Sequence, residues 1–259
     1  MDRERLALQL YTVREQIGID FYGTLRSVAE AGYAAVEFAG FFDARADELR
    51  GWLDETGLLP VSSHVALEAL EQETDRVLQW HADLKIHDLV VPWIAPALCT
   101  DVAGWEKVAQ RLNQVGARLA ASGFTLAYHH HDFELVPCGD SAGLDILMDH
   151  CDPACVSLQV DTYWAAFGGR DPAALVSHYA NRLASLHLKD MDATRARAMT
   201  EVGAGILDFA AILSAADRST ARWLIVEHDA PRMPPLESVR ISLHNLRQIL
   251  ARQPRSRAQ

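Results

Sequence analysis

Residues 156–190 have the sequence VSLQVDTYWAAFGGRDPAALVSHYANRLASLHLKD, in which two short apolar runs flank a longer segment. The runs Val156–Asp161 and Ala184–Lys189 are short, mostly apolar and end in charged residues, which is typical of buried strands. Strands that alternate with longer helical segments indicate repeated βα units and a parallel sheet. This stretch therefore predicts one βα unit and the strand of the next.

The same unit recurs along the rest of the chain. Six further runs predict strands: Leu6–Tyr11, Ala35–Phe38, Leu59–His64, Asp88–Val91, Thr125–His130 and Trp223–His228. Between the runs, apolar residues recur every three or four positions, as at Val108, Leu112 and Val115, which predicts outer helices. No glycine-rich phosphate motif follows the first run, so a dinucleotide-binding sheet has little support. We therefore expect an α/β protein with one (β/α)8 TIM barrel over residues 1–252 and a polar C-terminal tail over 253–259.

Charge and hydropathy limit the partners of this chain. It has 24 Lys and Arg against 35 Asp and Glu, a formal net charge of -11 that repels phosphate backbones and anionic lipids. We expect neither a nucleic acid nor a membrane partner. The N-terminus lacks the apolar stretch of a signal peptide, which predicts a cytoplasmic protein. Barrels of this type often pair, so a homo-oligomer stays open.

Polar side chains stand at the ends of the predicted strands, where TIM barrels carry their chemistry. These residues are Gln9, Tyr11, Glu37, His64, His129, His130, His131, Asp161, His187, Lys189, Glu227 and His228. Asp161 and Glu227 each follow an apolar run, and burying a carboxylate there is costly unless a cation or hydrogen-bond donors compensate. Together with histidine they form a mixed oxygen and nitrogen set suited to Mn, Co, Zn or Mg. His64 has an equally good interpretation as a hydrogen-bonded core histidine.

Seven motifs occur in an order that resembles the xylose isomerase-like TIM barrel superfamily of sugar phosphate isomerases, epimerases and inosose dehydratases. They are LQLYTVR (8–14), AGYAAVEF (31–38), YHHHDFEL (128–135), QVDTYW (159–164), HLKD (187–190), EVGAGILDF (201–209) and IVEHD (225–229). The resemblance covers nearly the whole chain.

The resemblance implies a divalent metal held at the ends of strands five to eight. It assigns the metal to Asp161, His187, Glu227 and Glu134. The assignment of Glu134 departs from the pattern of the ketose epimerases. In those enzymes strand five ends in the Glu that binds the metal, whereas this chain has His129 at that position. His129 or His131 is therefore an alternative fourth ligand.

The resemblance also implies a reaction on a small sugar or polyol-derived substrate. The expected enzyme is a metal-dependent isomerase or epimerase that forms an enediolate, with Glu227 as base and Glu134 as the displaced second carboxylate. Lys189 and His64 are expected to donate to the developing oxyanion. Because that carboxylate is displaced, inosose dehydratase-like or keto-sugar lyase chemistry is the alternative, with a strand-five histidine as the acid.

The remaining polar and aromatic residues of the motifs are expected to bind the substrate. The predicted set is Gln9, Tyr11, Glu37, His129, His131 and Trp164, with ordinary barrel packing as the alternative. Residues 201–205 predict either a glycine-hinged lid or a plain turn.

Two other classes of function share this fold. An abasic-site endonuclease would need a positively charged groove, and the net charge of -11 argues against it. A non-catalytic sugar-binding subunit would not need the Asp161, His187 and Glu227 set.

Overall fold

The computed structural model describes residues 5–252, in which eight parallel strands close into one barrel. The strands are β1 (Leu6–Gln9), β2 (Ala35–Phe38), β3 (Leu59–His64), β4 (Asp88–Val91), β5 (Thr125–His129), β6 (Val156–Asp161), β7 (Leu183–Leu188) and β8 (Trp223–Val226). Each strand pairs with the next along the chain, and β8 pairs with β1. The predicted (β/α)8 fold is confirmed, whereas the predicted tail, 253–259, lies outside the described residues.

Helices surround the barrel and follow its strands. They are α1 (Arg14–Ile17), α2 (Phe21–Ala31), α3 (Ala46–Thr56), α4 (Leu67–Gln72), α5 (Thr74–Asp83), α6 (Val102–Ala121), α7 (Gly143–His150), α8 (Thr162–Phe167), α9 (Pro172–His178), α10 (Phe209–Ala216) and α11 (Pro235–Arg252). In α6 the apolar residues Val108, Leu112 and Val115 are buried, as their spacing predicts. The helix begins after Asp101, whose carboxylate accepts a hydrogen bond from the Gly104 backbone N–H at 2.8 Å. None of the described helices is long and apolar enough to cross a membrane.

The interior of the barrel changes from apolar to polar along its axis. Near the start of the strands it is filled by a small cluster of Ala7, Ala35, Val61 and Ile225. Two residues further along each strand the side chain points to the same side. The inward positions are then polar and include Gln9, Glu37 and Glu227. A polar layer therefore lies at the C-terminal ends of the strands.

Two strands end two residues earlier than the sequence predicts, and β5 and β7 each end one residue earlier. The first ends at Gln9, because the Gln9 side chain accepts a hydrogen bond from the Tyr11 backbone N–H at 3.1 Å and Leu10–Val13 form a 3-10 turn. The last ends at Val226 instead of His228. Both ends leave the following residues free to form the rim of the barrel.

Candidate active site

A cavity of about 500 Å³ opens at the C-terminal ends of the strands. It is lined by Tyr11, Ala39, Gly40, His64, Pro92, Trp93, His129, His131, Lys189, Glu227 and Asp229. Different parts of its wall carry different chemical groups. The described carboxylates that line it are Glu227 and Asp229, and both follow β8. The imidazoles of His129 and His131, which come from β5 and the loop after it, line another part of the wall.

Three predicted metal ligands meet at the floor of this cavity. Asp161, His187 and Glu227 are buried, and one ligand atom from each lies within 4.8 Å of the other two. Asp161 and His187 are direct partners in the pairing of β6 and β7, which explains their proximity. A second group with the same spacing consists of His64, His129 and His187. Both groups could hold a metal ion.

His187 lies between two carboxylates. Its Nδ1 is 2.8 Å from Glu227 Oε2, and its Nε2 is 2.5 Å from Glu37 Oε1. Burial opposes a charge on this ring, but the two carboxylates outweigh burial and raise the pKa of His187 to about 10. A metal ion bound here would therefore replace a proton on the imidazole.

Lys189 is the internal cation of the site. Its Nζ is 3.1 Å from Asp161 Oδ2, 2.6 Å from Glu227 Oε2 and 2.7 Å from Asp229 Oδ1. Burial disfavours the ammonium, but the carboxylates outweigh it and raise the pKa of Lys189 well above its usual value. Asp161 Oδ2 is buried and accepts no hydrogen bond. Burial raises the pKa of Asp161 to about 6, which indicates an incompletely compensated carboxylate.

Gln159 fixes the orientation of the imidazoles. Its side-chain N–H groups donate to Glu37 Oε2 at 2.9 Å and to Ser185 Oγ at 2.8 Å, so its oxygen is free to accept. His129 Nδ1 contacts that oxygen at 2.9 Å and is therefore the protonated nitrogen. This leaves His129 Nε2 as a lone-pair donor at 3.9 Å from Asp161 Oδ2. Burial and the neighbouring histidines lower the pKa of His129 well below its usual value.

Glu134, the predicted fourth ligand, has different partners. Its carboxylate accepts hydrogen bonds from the Tyr128 hydroxyl at 2.7 Å and from the His131 backbone N–H at 2.9 Å. Burial raises the pKa of Glu134 to about 7. Among residues 5–252, neither group of clustered ligand atoms includes Glu134. The structure thus brings Asp161, His187 and Glu227 together, but it does not bring Glu134 to them.

The predicted substrate-binding residues occupy two levels. Tyr11 is at the rim and 41% exposed, whereas Gln9 and Glu37 are fully buried beneath the cavity and hydrogen-bonded to each other at 2.7 Å. The Trp164 ring lies 5.4 Å from the His131 ring. Trp164 Nε1 and His131 Nδ1 are buried without a hydrogen-bond partner. These two nitrogens are therefore free to bind hydroxyl groups of a substrate.

Two residues that sequence reasoning missed belong to this site. Gln159 precedes Asp161 by two positions and Asp229 follows Glu227 by two. Alternation along a strand would have placed Gln159 on the same face as Asp161. Asp229 lies just beyond β8, so only its spacing from Glu227 indicated it.

The loop predicted as a lid is held in place by a buried carboxylate. Asp190 accepts backbone hydrogen bonds from Gly203 at 3.0 Å, Gly205 at 2.9 Å and Leu207 at 3.2 Å. A side chain at Gly205 would come within 2.2 Å of the Met191 carbonyl oxygen, so the close approach requires glycine. This part of the loop is an anchored turn.

The fold and site define a parallel (β/α)8 barrel with a buried cluster of carboxylates and imidazoles at its C-terminal end. Residues 25–249 match the sequence profile of the xylose isomerase-like TIM barrel family, and the chain belongs to that family.

Curated relatives match from 48% to 88% of this chain. An inosose dehydratase of Clostridium tetani is 31% identical over 152 residues, which cover 51% of this chain and 50% of the relative. The chain thus spans about half the length of that relative.

Two solved structures share the fold over almost the whole chain. A sugar phosphate isomerase/epimerase from Parabacteroides distasonis superposes with a TM-score of 0.82 at 20% identity and covers 96% of both chains. The IolI protein with a bound zinc atom superposes with a TM-score of 0.74 at 14% identity and covers 97% of this chain and 100% of its own. At these identities the likeness establishes the fold alone.

Proposed function

We propose that this protein is a divalent-metal-dependent enzyme that removes a proton beside the carbonyl of a keto-sugar or inosose and then eliminates water. The observation that carries this proposal is that the described carboxylates lining the cavity all come from the residues after β8. An epimerase that works on both faces of a carbon uses opposed acid–base groups. Here the described carboxylates that line the cavity, Glu227 and Asp229, both follow β8, and imidazoles line the wall at β5 where an opposed carboxylate would be needed. The inosose dehydratase name of the curated relative agrees with this choice.

The residues at the floor fit a divalent ion. Asp161, His187 and Glu227 offer two carboxylates and an imidazole within 4.8 Å, and Asp161 Oδ2 accepts no hydrogen bond. His129 would supply the fourth ligand, because its unprotonated Nε2 faces Asp161. When bound, the ion would polarise the substrate carbonyl and make the neighbouring C–H more acidic. The zinc in the IolI structure supports this assignment.

The proton steps are assigned to Glu227 and Lys189. Burial disfavours ionisation of Glu227, but the neighbouring Lys189 and His187 outweigh burial and lower its pKa, so it is ionised. It would accept the substrate proton because the bound ion would make that C–H more acidic. A strand-five histidine is a poor acid, because burial lowers the pKa of His131 to about 3. Lys189 lines the same cavity as an ammonium and would donate a proton to the leaving hydroxyl. His131 and Trp164 would orient the substrate through their unpartnered nitrogens.

The first test measures metal content. We expect near-stoichiometric Mn, Co, Zn or Mg in the wild-type protein by mass spectrometry. Asp161→Ala and Glu227→Gln should both lose metal, because each removes a charged ligand from a buried site. Glu30→Gln removes an exposed carboxylate of α2 and serves as the matched control. A protein that stays metal-free after reconstitution would contradict the proposal.

The second test separates the reaction types. The metal-loaded protein is incubated with inososes and keto-sugars in deuterated water, and the products are analysed by NMR. Deuterium beside the carbonyl followed by loss of water supports the dehydratase. Deuterium with an epimer or an isomer as the product would support the isomerase or epimerase instead. Without exchange in any compound, a non-catalytic sugar-binding protein would become the better explanation.

A further inference from the structure

A second cavity, of about 370 Å³, adjoins the first. Gly40 and His64 line both cavities, so the two spaces meet at the ends of β2 and β3. The remaining walls of the second cavity come from the loop after β2, the start of α4 and one face of α5. Substrate bound at the carboxylates could therefore extend past His64 into this space.

The walls of the second cavity are mostly apolar and aromatic, and Arg76 is the charged residue among them. Phe41 contacts the Trp80 ring at 5.6 Å and the His81 ring at 5.2 Å between ring centroids. Phe42 lies on the same side and is 52% exposed, while Val77 closes the floor and is buried. This surface differs from the polar first cavity and is suited to a flat apolar group.

Two ring nitrogens in these walls lack partners. His81 is 3% exposed, and its Nδ1 donates to the Val77 carbonyl oxygen at 2.7 Å, so its Nε2 is a hydrogen-bond acceptor. His81 Nε2 and Trp80 Nε1 are both buried with no hydrogen-bond partner. His81 Nε2 can therefore accept a hydrogen bond from a ligand hydroxyl, and Trp80 Nε1 can donate one.

We propose that the second cavity binds an aromatic, hydroxyl-bearing substituent of the substrate. The substrate would then be a conjugate in which a polyhydroxylated keto ring lies at the carboxylates and a phenolic ring packs against the Phe41 and Trp80 rings in the second cavity. This proposal rests on the proposed function for the position of the keto ring only. The apolar contact supplies affinity, and the unpartnered nitrogens supply selectivity for a phenol over a plain phenyl ring.

The test compares matched glycosides that cannot react. Dissociation constants of methyl, phenyl and 4-hydroxyphenyl β-D-glucoside are measured by calorimetry with the metal-loaded protein. Burying much of one aromatic ring should make the phenyl compound bind at least about tenfold tighter than the methyl compound. The 4-hydroxyphenyl compound should bind tightest. Equal affinities across the series, including no binding by any member, would overturn the proposal.

Cavity-filling variants locate the aromatic group. Ala69→Phe and Ala66→Phe each add a ring to the wall of the second cavity and should reduce phenyl and 4-hydroxyphenyl binding to the level of the methyl compound. Ala117→Phe, on the exposed side of α6, is the matched control. A preference for the aromatic compounds that survives in both cavity variants would overturn the proposal. Metal content and proton exchange, measured in the same variants, report separately on the proposed function.

Discussion

The Lys189 ammonium neutralises buried carboxylates that a bound divalent ion would also neutralise. It contacts Asp161, Glu227 and Asp229, and its side chain is 3% exposed. Lys189→Met removes this cation and leaves buried carboxylates uncompensated. We expect the metal-free variant to lose roughly 3–5 kcal/mol of its free energy of unfolding. We expect its affinity for Mn to rise at least about tenfold, because the metal no longer competes with the ammonium.

Urea unfolding and calorimetric titration with Mn measure these two effects. Lys107→Met changes an exposed lysine of α6 and should alter neither quantity. If Lys189→Met bound Mn more weakly than the wild-type protein, the ammonium would be supporting the metal site instead of competing with it.

The fourth ligand can be identified by two single substitutions. Glu134→Gln keeps a group that can bond to Tyr128, and we expect it to retain its metal, because Glu134 lies outside the clustered ligand atoms. His129→Ala removes the unprotonated nitrogen that faces Asp161 and should weaken metal binding by about 10–100-fold. Metal content after dialysis against a chelator distinguishes the two. The opposite ranking would return the fourth position to Glu134.

At the level of residues, the sequence indicates positions at strand ends better than positions on turns. Asp161, His187 and Glu227 lie at or next to regular strands, so their side chains point into the barrel as alternation requires. Glu134 lies in a 3-10 turn after β5, and the local bonds from Tyr128 and His131 decide its direction. Such a contact depends on the conformation of the turn, which spacing in the sequence does not specify.

The segment between β7 and α10 depends on one buried carboxylate. Asp190→Ala removes the acceptor for the backbone N–H groups of Gly203, Gly205 and Leu207. We expect a loss of about 3 kcal/mol in the free energy of unfolding and faster hydrogen exchange at these three amides. Asp192→Ala, which affects the bonds of the neighbouring turn, is the control and should leave those amides protected. Unchanged exchange in Asp190→Ala would mean that packing alone holds the loop.

An acid-sensitive link joins α7 to α9. Asp145 accepts hydrogen bonds from the Tyr179 hydroxyl at 2.7 Å and from Arg170 at 2.6 Å. Burial would raise the pKa of Asp145, but these partners outweigh burial and lower the pKa below 3.8. A carboxyl whose pKa is lowered by folding stabilises the protein above its unfolded pKa, and the effect disappears as pH falls through the folded pKa.

Asp145→Asn should therefore cost about 1–2 kcal/mol at pH 7, a value reduced by the partial exposure of Arg170. The difference from the wild-type protein should shrink as pH falls from 3.8 towards the lower pKa of the folded state, because the carboxyl becomes protonated first in the unfolded chain and then in the folded one. Urea unfolding at pH 7 and pH 3 measures this change. Asp149→Asn, an exposed position of the same helix, should show no such dependence, and a constant difference for Asp145→Asn would refute the link.

The sequence predicts which strands and helices form more accurately than it predicts where they end. The predicted bounds of β2, β3, β4 and β6 agree with the structure, and β3 and β6 end in the polar residues His64 and Asp161. The first strand is shorter than predicted, since the Gln9 side chain satisfies the Tyr11 N–H and turns the chain. Leu10–Val13 are as apolar as a strand, so composition alone extends the prediction too far.

At the level of the whole molecule, one closed barrel couples the metal site to global stability. The proposed ligands His129, Asp161, His187 and Glu227 lie on or next to four adjacent strands, β5 to β8, and each of these strands pairs with its neighbours around the closed barrel. Losing those strands would open the barrel, so an ion bound to them should stabilise the folded state as a whole.

Metal binding should therefore raise the melting temperature of the entire chain. At a free Mn concentration of about 100 times the dissociation constant, the gain is about 2.7 kcal/mol. For a chain of 259 residues this corresponds to a rise of roughly 5–10 °C, measured by calorimetry with and without Mn after chelator treatment. Asp161→Ala should show no rise, whereas Glu30→Gln should match the wild-type protein. A rise of equal size in Asp161→Ala would place the stabilising ion elsewhere on this acidic surface, because a site built on Asp161 cannot bind without that carboxylate.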